Sequence, residues 1–352
     1  MSNLPSACIP IQKTSDSEPA LYRALRKYWH PVAYSSDVLS EPVGAELLGE
    51  PLVLARLDGE LRAMHARCPH KGTNLALGRV VNGTIECPYH GWRFDSRGQC
   101  TRVPAREELT DSIRASVESY HVTEQGGLVW VALENPLLPP PAFNELNDPS
   151  YRVLQGKPYD WGTSSPRRLE NFVDFAHFSF VHDGSIGSRE NPRVEPVKVW
   201  RDGHVLRFDR SGIKEPGVGL KKQLLGITDD WIEPVNEYHV TMPHTVHLKR
   251  TFPNGKRYVL FMAASPLNAY TTRSFWWQAR DFGVEPIWDK FFMDFEDEVL
   301  AQDKPIIESQ RPLWFHLSAP PAGERELPVR HADVVTIEYR RWLADMLAAA
   351  GA

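Results

Sequence analysis

Residues 68–92, "CPHKGTNLALGRVVNGTIECPYHGW", decide the fold of the first half of the chain. Two short loops within them, "CPHKG" and "CPYHGW", each carry one cysteine, one histidine and a glycine. Two thiolates and two imidazoles can bind either one Zn²⁺ ion or a [2Fe–2S] cluster, in which both cysteines hold one iron and both histidines the other. The alternating order Cys68, His70, Cys87, His90 favours the cluster, because each loop can then give one ligand to each iron.

Around these loops the chain alternates short β-prone runs with turn signals. The dipeptides that separate the apolar runs are Asp58-Gly59, Asn82-Gly83 and Arg97-Gly98. Such dipeptides are typical of tight β-hairpins. The pattern predicts a small antiparallel all-β domain over residues 43–133. Residues 1–42 form a lead-in with a short helix at 17–29, and the proline-rich segment 134–149 is predicted to be a linker.

Beyond the linker, residues 150–352 show strand-like runs between helical segments. Apolar residues recur at helical spacing over about 167–182, from Pro286 towards Pro305, and in the C-terminal "ADVVTIEYRRWLADMLAAA". The strand-like runs lie at 196–208, 236–251, 256–265 and 271–281. Strands grouped together with helices at both ends predict an α+β domain in which an antiparallel sheet wraps around a helix.

The composition excludes several classes of protein. The 352-residue chain carries a net charge of −5 without a block of like charges, so it shows no nucleic-acid footprint and no basic membrane-binding stripe. No apolar run approaches the ~20 residues that span a bilayer, and "MSNLPSACIP" does not resemble a signal peptide. Four cysteines are too few for a disulfide framework, and Cys8 and Cys100 are expected to be unpaired. These features predict a cytoplasmic protein.

A second candidate site lies in "NFVDFAHFSFVH", residues 171–182, where His177 and His182 stand five positions apart. In a regular α-helix, residues five apart point about 140° away from each other, whereas a π-bulge would bring both imidazoles onto one face. Two histidines and a carboxylate on one face of Fe(II) leave positions open for O₂ and substrate. The alternative is a pair of core histidines bonded to backbone carbonyls, which is a weak explanation downstream of an iron–sulfur motif.

The carboxylate must come from far downstream, where "DKFFMDFEDEVLAQDKPIIESQ" holds seven acids. Most of them are expected on the solvated face of an amphipathic helix. Asp303 differs because it precedes Pro305, where we expect the helix to kink or restart and the acid to turn inward. We choose Asp303, with Asp297 second. In "HVTMPHTVHLK", His244 is expected on the apolar face of a strand, either as a core group or as a contact to substrate.

The two loops closely resemble the cluster-binding loops of Rieske proteins, and the whole chain resembles the Rieske non-haem iron oxygenases. "YWHPVAY", "QDKPIIESQ" and "YRRWL" extend the resemblance over nearly the full length. The chain looks closest to the branch of purine-alkaloid N-demethylases, aromatic O-demethylases and saxitoxin-type hydroxylases. Lys71 stands where many relatives have arginine, which removes no ligand. The resemblance implies an N-terminal Rieske [2Fe–2S] domain and a C-terminal helix-grip domain with a mononuclear iron.

The same resemblance suggests roles for individual residues. The N-x-x-D-x-x-H-x₄-H motif of these oxygenases falls on Asn171, Asp174, His177 and His182. It implies that both histidines, with Asp303, bind the mononuclear iron. It implies that Asp174 links this iron to a cluster histidine of the neighbouring subunit and that Asn171 lies near the iron. It also implies a head-to-tail homotrimer and a place for His244 in the substrate pocket.

These expectations describe an oxygen-dependent enzyme. It would use O₂ and supplied electrons to hydroxylate a C–H bond of a small heterocyclic or aromatic substrate, and hydroxylation of an N- or O-methyl group would end in demethylation. Too few cysteines remain for a ferredoxin and no G-x-G-x-x-G site is present, so a separate NAD(P)H-dependent reductase or ferredoxin is implied. The alternatives are a cis-dihydroxylating ring dioxygenase, a Rieske electron carrier without oxygen chemistry, and a zinc-stabilised binding module. Substrate identity lies beyond the sequence.

Overall fold

The computed structural model describes residues 20–211, 214–217, 219–312, 326–330 and 332–351. The strands are β1 His30–Tyr34, β2 Val43–Leu47, β3 Glu50–Leu57, β4 Glu60–His65, β5 Arg79–Val81, β6 Thr84–Glu86, β7 Arg93–Phe94, β8 Cys100–Arg102, β9 Ser119–Gln125, β10 Leu128–Ala132, β11 Arg152–Gln155, β12 Tyr159–Trp161, β13 Val199–Asp202, β14 Val205–Arg210, β15 Glu215–Pro216, β16 Trp231–Ile232, β17 Val235–Thr241, β18 Thr245–Thr251, β19 Arg257–Pro266 and β20 Thr272–Arg280. The α-helices are α1 Ala20–Leu25, α2 Ser165–Val173, α3 Phe178–Val181, α4 Gly219–Leu225, α5 Asp289–Ser309 and α6 Val334–Ala350.

The first half of the chain forms two antiparallel sheets, as expected for an all-β domain. One has six strands in the order β1-β10-β9-β4-β3-β2, and the other has four strands in the order β5-β6-β7-β8. At the turn between β3 and β4, Asp58 and Gly59 have φ angles of 52° and 85°. At the turn between β5 and β6, Asn82 and Gly83 have φ angles of 48° and 69°. Positive φ at both central residues defines the type I′ turn, whose twist matches that of the two strands in a hairpin with a two-residue loop.

The six-stranded sheet begins earlier than the predicted start of the domain at residue 43, because β1 pairs with β10. The described part of the predicted N-terminal helix is α1. The rest of that prediction before residue 20, and Cys8, lie outside the described residues.

The second half of the chain forms one antiparallel sheet around a helix. Its main path is β11-β20-β19-β18-β17-β14-β13, and β12 also pairs with β20. Eight of the nine residues of α2 are buried, because this helix packs against β18 and β19 on one side and against α5 and α6 on others. This arrangement is the predicted α+β helix-grip domain. None of the described helices is both long enough and apolar enough to cross a membrane.

The two halves share a hydrophobic seam. β1 packs against β19 and β20, so the first strand of one sheet lies on the other sheet. The hydroxyl of buried Tyr34 donates a hydrogen bond to the carbonyl of Gly156 at 2.9 Å and accepts one from the backbone N–H of Trp276 at 3.1 Å. Buried polar groups of this kind are stabilising only when paired, and here one phenol pairs with two backbone groups of the second domain.

Candidate metal centres

The two cysteine–histidine loops fold as near copies of each other. The N–H of Gly72 donates to the carbonyl of Cys68 at 2.8 Å, and the N–H of Gly91 donates to the carbonyl of Cys87 at 3.0 Å. Gly72 and Gly91 have φ angles of 72° and 70°, a left-handed conformation that side-chain-bearing residues rarely adopt. The glycines therefore let each loop turn sharply behind its cysteine.

The loops bury their thiols and leave their imidazoles at the surface. Cys68 and Cys87 are each 2% exposed. The ring centroids of His70 and His90 lie 4.5 Å apart, and His70 stacks on Trp92 at 4.6 Å with an interplanar angle of 8°. The structure thus gathers the four side chains into an inner cysteine pair and an outer histidine pair, the division that a [2Fe–2S] cluster needs between its two irons.

The spacing of the ligand atoms favours the cluster over a single zinc ion. Four ligands of one tetrahedral zinc lie within about 4 Å of one another, since each is about 2.0–2.3 Å from the metal. Among the described residues, the group of three or more ligand atoms within 4.8 Å of one another is found elsewhere, not in these loops. Burial, opposed by hydrogen bonds from the backbone N–H groups of His70 and Lys71, raises the pKa of Cys68 to about 11, and the Cys87 thiol adds to the effect. The charge of a bound metal would favour the ionised form of the Cys68 thiol.

The second site is built at a break between helices. α2 ends at Val173, and His177 and His182 flank the single helical turn α3. The predicted π-bulge is therefore wrong: His177 stands before the turn, and His182, with φ −113° and ψ 33°, stands after it in a non-helical conformation. The break lets both rings face the same point, although a continuous helix would hold them about 140° apart.

Asp303, on α5, completes a triad with these histidines. Its Oδ1 lies 3.4 Å from His177 Nε2 and 3.2 Å from His182 Nε2. Nε2 of His182 and Oδ1 of Asp303 are buried and have no hydrogen-bond partner among the described residues. Burial opposes the charged forms, yet mutual attraction raises the pKa of His182 and lowers that of Asp303. Two imidazole nitrogens and a carboxylate oxygen that converge on one point are a donor set for a divalent metal such as Fe(II).

Asp303 reaches the site for a different reason from the one we expected. α5 continues through Pro305 to Ser309 without a restart, so the predicted helix break is wrong. Pro305 and Ala301, whose carbonyl loses its usual partner, are both exposed, and water can satisfy that carbonyl. Asp303 is 5% exposed because it lies on the buried face of a regular helix, whereas Asp297 is exposed to solvent.

Gln302, which sequence reasoning missed, fixes the orientation of His182. Nδ1 of His182 lies 2.7 Å from Oε1 of Gln302. An Nδ1–H that donates to this oxygen leaves Nε2 as the lone-pair nitrogen that faces Asp303, the usual arrangement behind a metal-binding histidine. The position of Gln302 directly before Asp303 did not reveal this role, because adjacent residues of a helix do not face each other.

Asp174 and Asn171 lie near the triad. One carboxylate oxygen of Asp174 accepts from the N–H of Ala176 at 2.8 Å, and the other lies 3.6 Å from His177 Nδ1. Asn171 is 5% exposed, and its Oδ1 accepts from the Arg168 guanidinium at 2.7 Å. Asp174, Asn171 and His177 all line a polar cavity of about 240 Å³, so Asp174 joins the triad to an open face of the domain.

His244 lies away from the triad. It is 2% exposed and packs beside buried His30, with ring centroids 5.9 Å apart. It does not line either chamber beside the triad, so the structure does not support the predicted contact with substrate. His244 lies in the turn between β17 and β18, and its ring packs beside His30 of β1.

One chamber borders the triad, and a second chamber shares two lining residues with it. The inner chamber, about 80 Å³, is lined by the triad, Asn171 and apolar side chains of α5 and the sheet. The outer chamber, about 280 Å³, has five phenylalanines on its walls and shares Arg250 and Phe295 with the inner one. Aromatic walls around a few polar groups are typical of a small-molecule site.

The chain has an all-β domain with cluster-binding loops, followed by a helix-grip domain that holds two histidines and a carboxylate. This is the architecture of a terminal oxygenase with two kinds of iron. The chain belongs to the Rieske non-haem iron oxygenases, which are oxidoreductases. Residues 28–121 match the Rieske [2Fe–2S] domain, and residues 161–349 match the C-terminal domain of vanillate O-demethylase oxygenase.

Known relatives agree with this assignment. The methylxanthine N1-demethylase NdmA of Pseudomonas putida is 32% identical over 92% of this chain and 89% of its own length. The oxygenase component of dicamba O-demethylase from Stenotrophomonas maltophilia is 26% identical over 81% of this chain and 87% of its own length. The structure of NdmA from Pseudomonas putida CBB5 with caffeine superposes with a TM-score of 0.82, covering 94% of this chain and 93% of that one.

Proposed function

We propose that the protein is the oxygenase component of a demethylase that hydroxylates a methyl group on nitrogen or oxygen of a small heterocyclic or aromatic compound. For an N-methyl substrate, O₂, two electrons and two protons convert the methyl group into a hydroxymethyl group and water. The hydroxymethyl adduct then releases formaldehyde and leaves N–H. The observation that carries the proposal is the convergence of His177, His182 and Asp303 in a chamber that aromatic side chains also line.

The chain's own residues hold and shield this chemistry. The mononuclear iron, bound by His177, His182 and Asp303, would supply oxygen activation, and the cluster, bound by the two loops, would supply electrons. Gln302 holds the imidazole of His182 with Nε2 towards the metal, while Arg168 holds the amide of Asn171 beside it.

We also propose that Asp174 carries the coupling between the two kinds of iron across a subunit boundary in a head-to-tail homotrimer. Its side chain is 40% exposed, lies beside His177 and faces an open polar cavity. The histidine pair of the cluster loops is likewise at the surface, where a neighbour's Asp174 can reach it. Asp174→Asn should keep both metals and slow single-turnover oxidation of the reduced cluster. Normal turnover in that variant, or a monomer by analytical ultracentrifugation, counts against this arrangement.

Electrons must come from a separate NAD(P)H-dependent reductase or ferredoxin. Among the described residues, Cys100 is the single cysteine outside the two loops, and it cannot hold a further cluster alone. The three described cysteines are free thiols, which suits the reducing cytoplasm that we propose as the location.

The deciding experiment is a screen of N-methyl and O-methyl compounds with a surrogate reductase, scored by formaldehyde and O₂ uptake. A demethylase releases one formaldehyde for each coupled O₂. A cis-diol without formaldehyde would instead identify a ring dioxygenase. If the reductase reduces the cluster of protein with full iron content but no compound causes O₂ uptake, only an electron-transfer role would remain.

A further inference from the structure

A tyrosine lies in the sheet wall of the inner chamber. In β17, Asn236, Tyr238 and Val240 are buried and the residues between them are partly exposed, so alternate side chains of this strand face inward. Tyr238 pairs in register with Phe208 of β14 on one side and with Leu248 of β18 on the other. Tyr238 and Leu248 both line the inner chamber.

Neighbouring aromatic rings hold Tyr238 in place. Its side chain is 1% exposed, and its ring stacks on that of Phe208 with centroids 4.8 Å apart and an interplanar angle of 11°. Phe175 packs against it edge-to-face, with centroids 5.2 Å apart at 73°. Contacts of this kind fix the ring of a buried tyrosine and therefore the place of its hydroxyl.

The hydroxyl of Tyr238 has no partner in the protein. None of the described residues forms a hydrogen bond with it. The other buried tyrosines of the described chain do bond through their hydroxyls: Tyr22, Tyr28, Tyr34, Tyr120, Tyr258 and Tyr339. A buried phenol usually finds a partner, so the exception at the chamber wall indicates a partner that enters the chamber from outside.

The remaining polar groups of this chamber are already engaged. Outside the triad, they bond to the protein as follows: Arg168 to Asn171, Arg250 to Asn236, and Glu296 to Tyr258. Burial raises the pKa of the Tyr238 hydroxyl, and the charges of Arg250 and Arg210 only partly oppose this, so the group stays protonated at neutral pH. Tyr238 therefore offers an uncommitted, uncharged O–H donor beside the triad.

We propose that the Tyr238 hydroxyl donates a hydrogen bond to an uncharged acceptor atom of the substrate and thereby determines which part of the substrate lies at the triad. This inference rests on the proposed function and adds a specificity-determining residue to it. Because Tyr238 and the triad line the same chamber of about 80 Å³, an acceptor bonded to Tyr238 brings the neighbouring substrate atoms to the triad. An analogue with an apolar group in place of the acceptor leaves the hydroxyl unpaired, which disfavours its binding.

Binding to the oxidised holoprotein, measured by calorimetry without reductase, tests this role. The probes are meta-methoxyacetophenone and meta-isopropenylanisole, two uncharged methyl ethers that differ by a carbonyl oxygen in place of a CH₂ group. Tyr238→Phe should weaken binding of the ketone about fivefold or more and change the affinity for the alkene by less than about twofold. Each ligand is compared between the two proteins, so the difference in hydrophobicity between the ligands cancels.

The stability of the ligand-free protein separates this role from a structural one. Tyr238→Phe should not lower the midpoint of urea unfolding, because the hydroxyl it removes bonds to no protein group. Tyr339→Phe is the matched control, since Tyr339 is also buried but donates to the carbonyl of Pro243 at 3.2 Å and lines neither chamber. This control should lower the midpoint and leave both affinities unchanged.

Several results overturn the role of Tyr238. They are equal weakening of both ligands in Tyr238→Phe, unchanged affinity for the ketone, and a ketone that does not bind the unaltered protein. A midpoint that falls as far in Tyr238→Phe as in Tyr339→Phe also overturns it, because the hydroxyl would then pair within the protein.

Turnover separates this inference from the proposed function. Formaldehyde released from the ketone with the same kcat/KM in both proteins would leave demethylation standing without Tyr238. Selective loss of affinity for the ketone, with no formaldehyde or O₂ uptake from either ether, would support the role of Tyr238 and count against demethylation.

Discussion

The two metal centres differ in how far apart their ligands lie in the chain. The cluster ligands come from two loops within residues 68–92, and each loop is closed by its own backbone hydrogen bond at glycine. The triad instead joins His177 and His182 at a helix break to Asp303 on α5, 121 residues beyond His182. The first centre is locally determined, whereas the second exists only when α2, α5 and the sheet are packed together.

This difference predicts which substitutions each centre should be sensitive to. Loss of a cluster ligand should leave the triad intact, because the sheet around α2 does not depend on the loops. The triad should respond to changes in its buried surroundings, since the side chains that orient it come from separate elements. The following predictions test that independence, from the largest expected effect to the smallest.

Cys68→Ser should abolish the cluster and all reductase-driven turnover. Serine cannot replace the buried thiolate of an inner pair in which both members hold the same iron. Visible absorbance and the reduced-state EPR signal should disappear, while cobalt(II) titration of the triad changes by less than about twofold. The control is Cys100→Ser, whose thiol lies outside the loops and should leave the colour unchanged. Loss of cobalt binding along with colour in Cys68→Ser would show that the centres are not independent.

Asp303→Ala should remove the mononuclear iron and retain the cluster colour. Among the described residues, the variant deletes the one carboxylate that lies within 3.4 Å of both imidazoles. We expect at least about a hundredfold loss of cobalt(II) affinity, and turnover should fall below detection. Asp297→Ala, on the exposed face of the same helix, is the matched control. Full iron content in Asp303→Ala would remove Asp303 from the ligand set.

Gln302→Leu should weaken metal binding less than loss of a ligand. The substitution deletes the oxygen that lies 2.7 Å from His182 Nδ1 and leaves the three metal-facing atoms in place. Loss of such a partner typically costs 10–100-fold in metal affinity. Cobalt(II) titration and its visible spectrum measure the effect, and Gln302→Glu should restore most of the affinity. Unchanged affinity in Gln302→Leu would mean that packing alone orients the imidazole.

The contrast between local and distant ligands also explains what the sequence could reveal. Cys68, His70, Cys87 and His90 were visible from spacing, because both loops are short and glycine-marked. The all-β and helix-grip domains followed from turn dipeptides and from grouped strands. Asp303 could be chosen only among seven acids, and the argument from Pro305 was wrong because the proline lies on the solvent face of a continuous helix.

Features that depend on distant packing were missed or misjudged. The break before α3 replaced the expected π-bulge, since apolar spacing over 167–182 does not distinguish a bulged helix from two helices. Gln302 carries no motif, and its role arises from His182, which meets it from another element. His244 was placed in the pocket by resemblance, but its ring packs beside His30 of β1.

The smallest effect on the protein at neutral pH is expected from the histidines buried at the seam between the two halves. Burial, partly opposed by the bond to the Leu25 carbonyl, lowers the pKa of His30 to about 4, and burial beside His30 lowers that of His244 well below its usual value. The unfolded chain takes up these protons near pH 6.5, so this stabilisation is fully present above pH 6.5 and is lost as pH falls towards 4. For His30 the loss is about 3 kcal/mol at pH 4. Urea unfolding should therefore weaken between pH 6.5 and 4.5 less in His30→Gln than in the unaltered protein. Exposed His121→Gln serves as the control, and an equal acid sensitivity of both variants would place the buried proton uptake elsewhere.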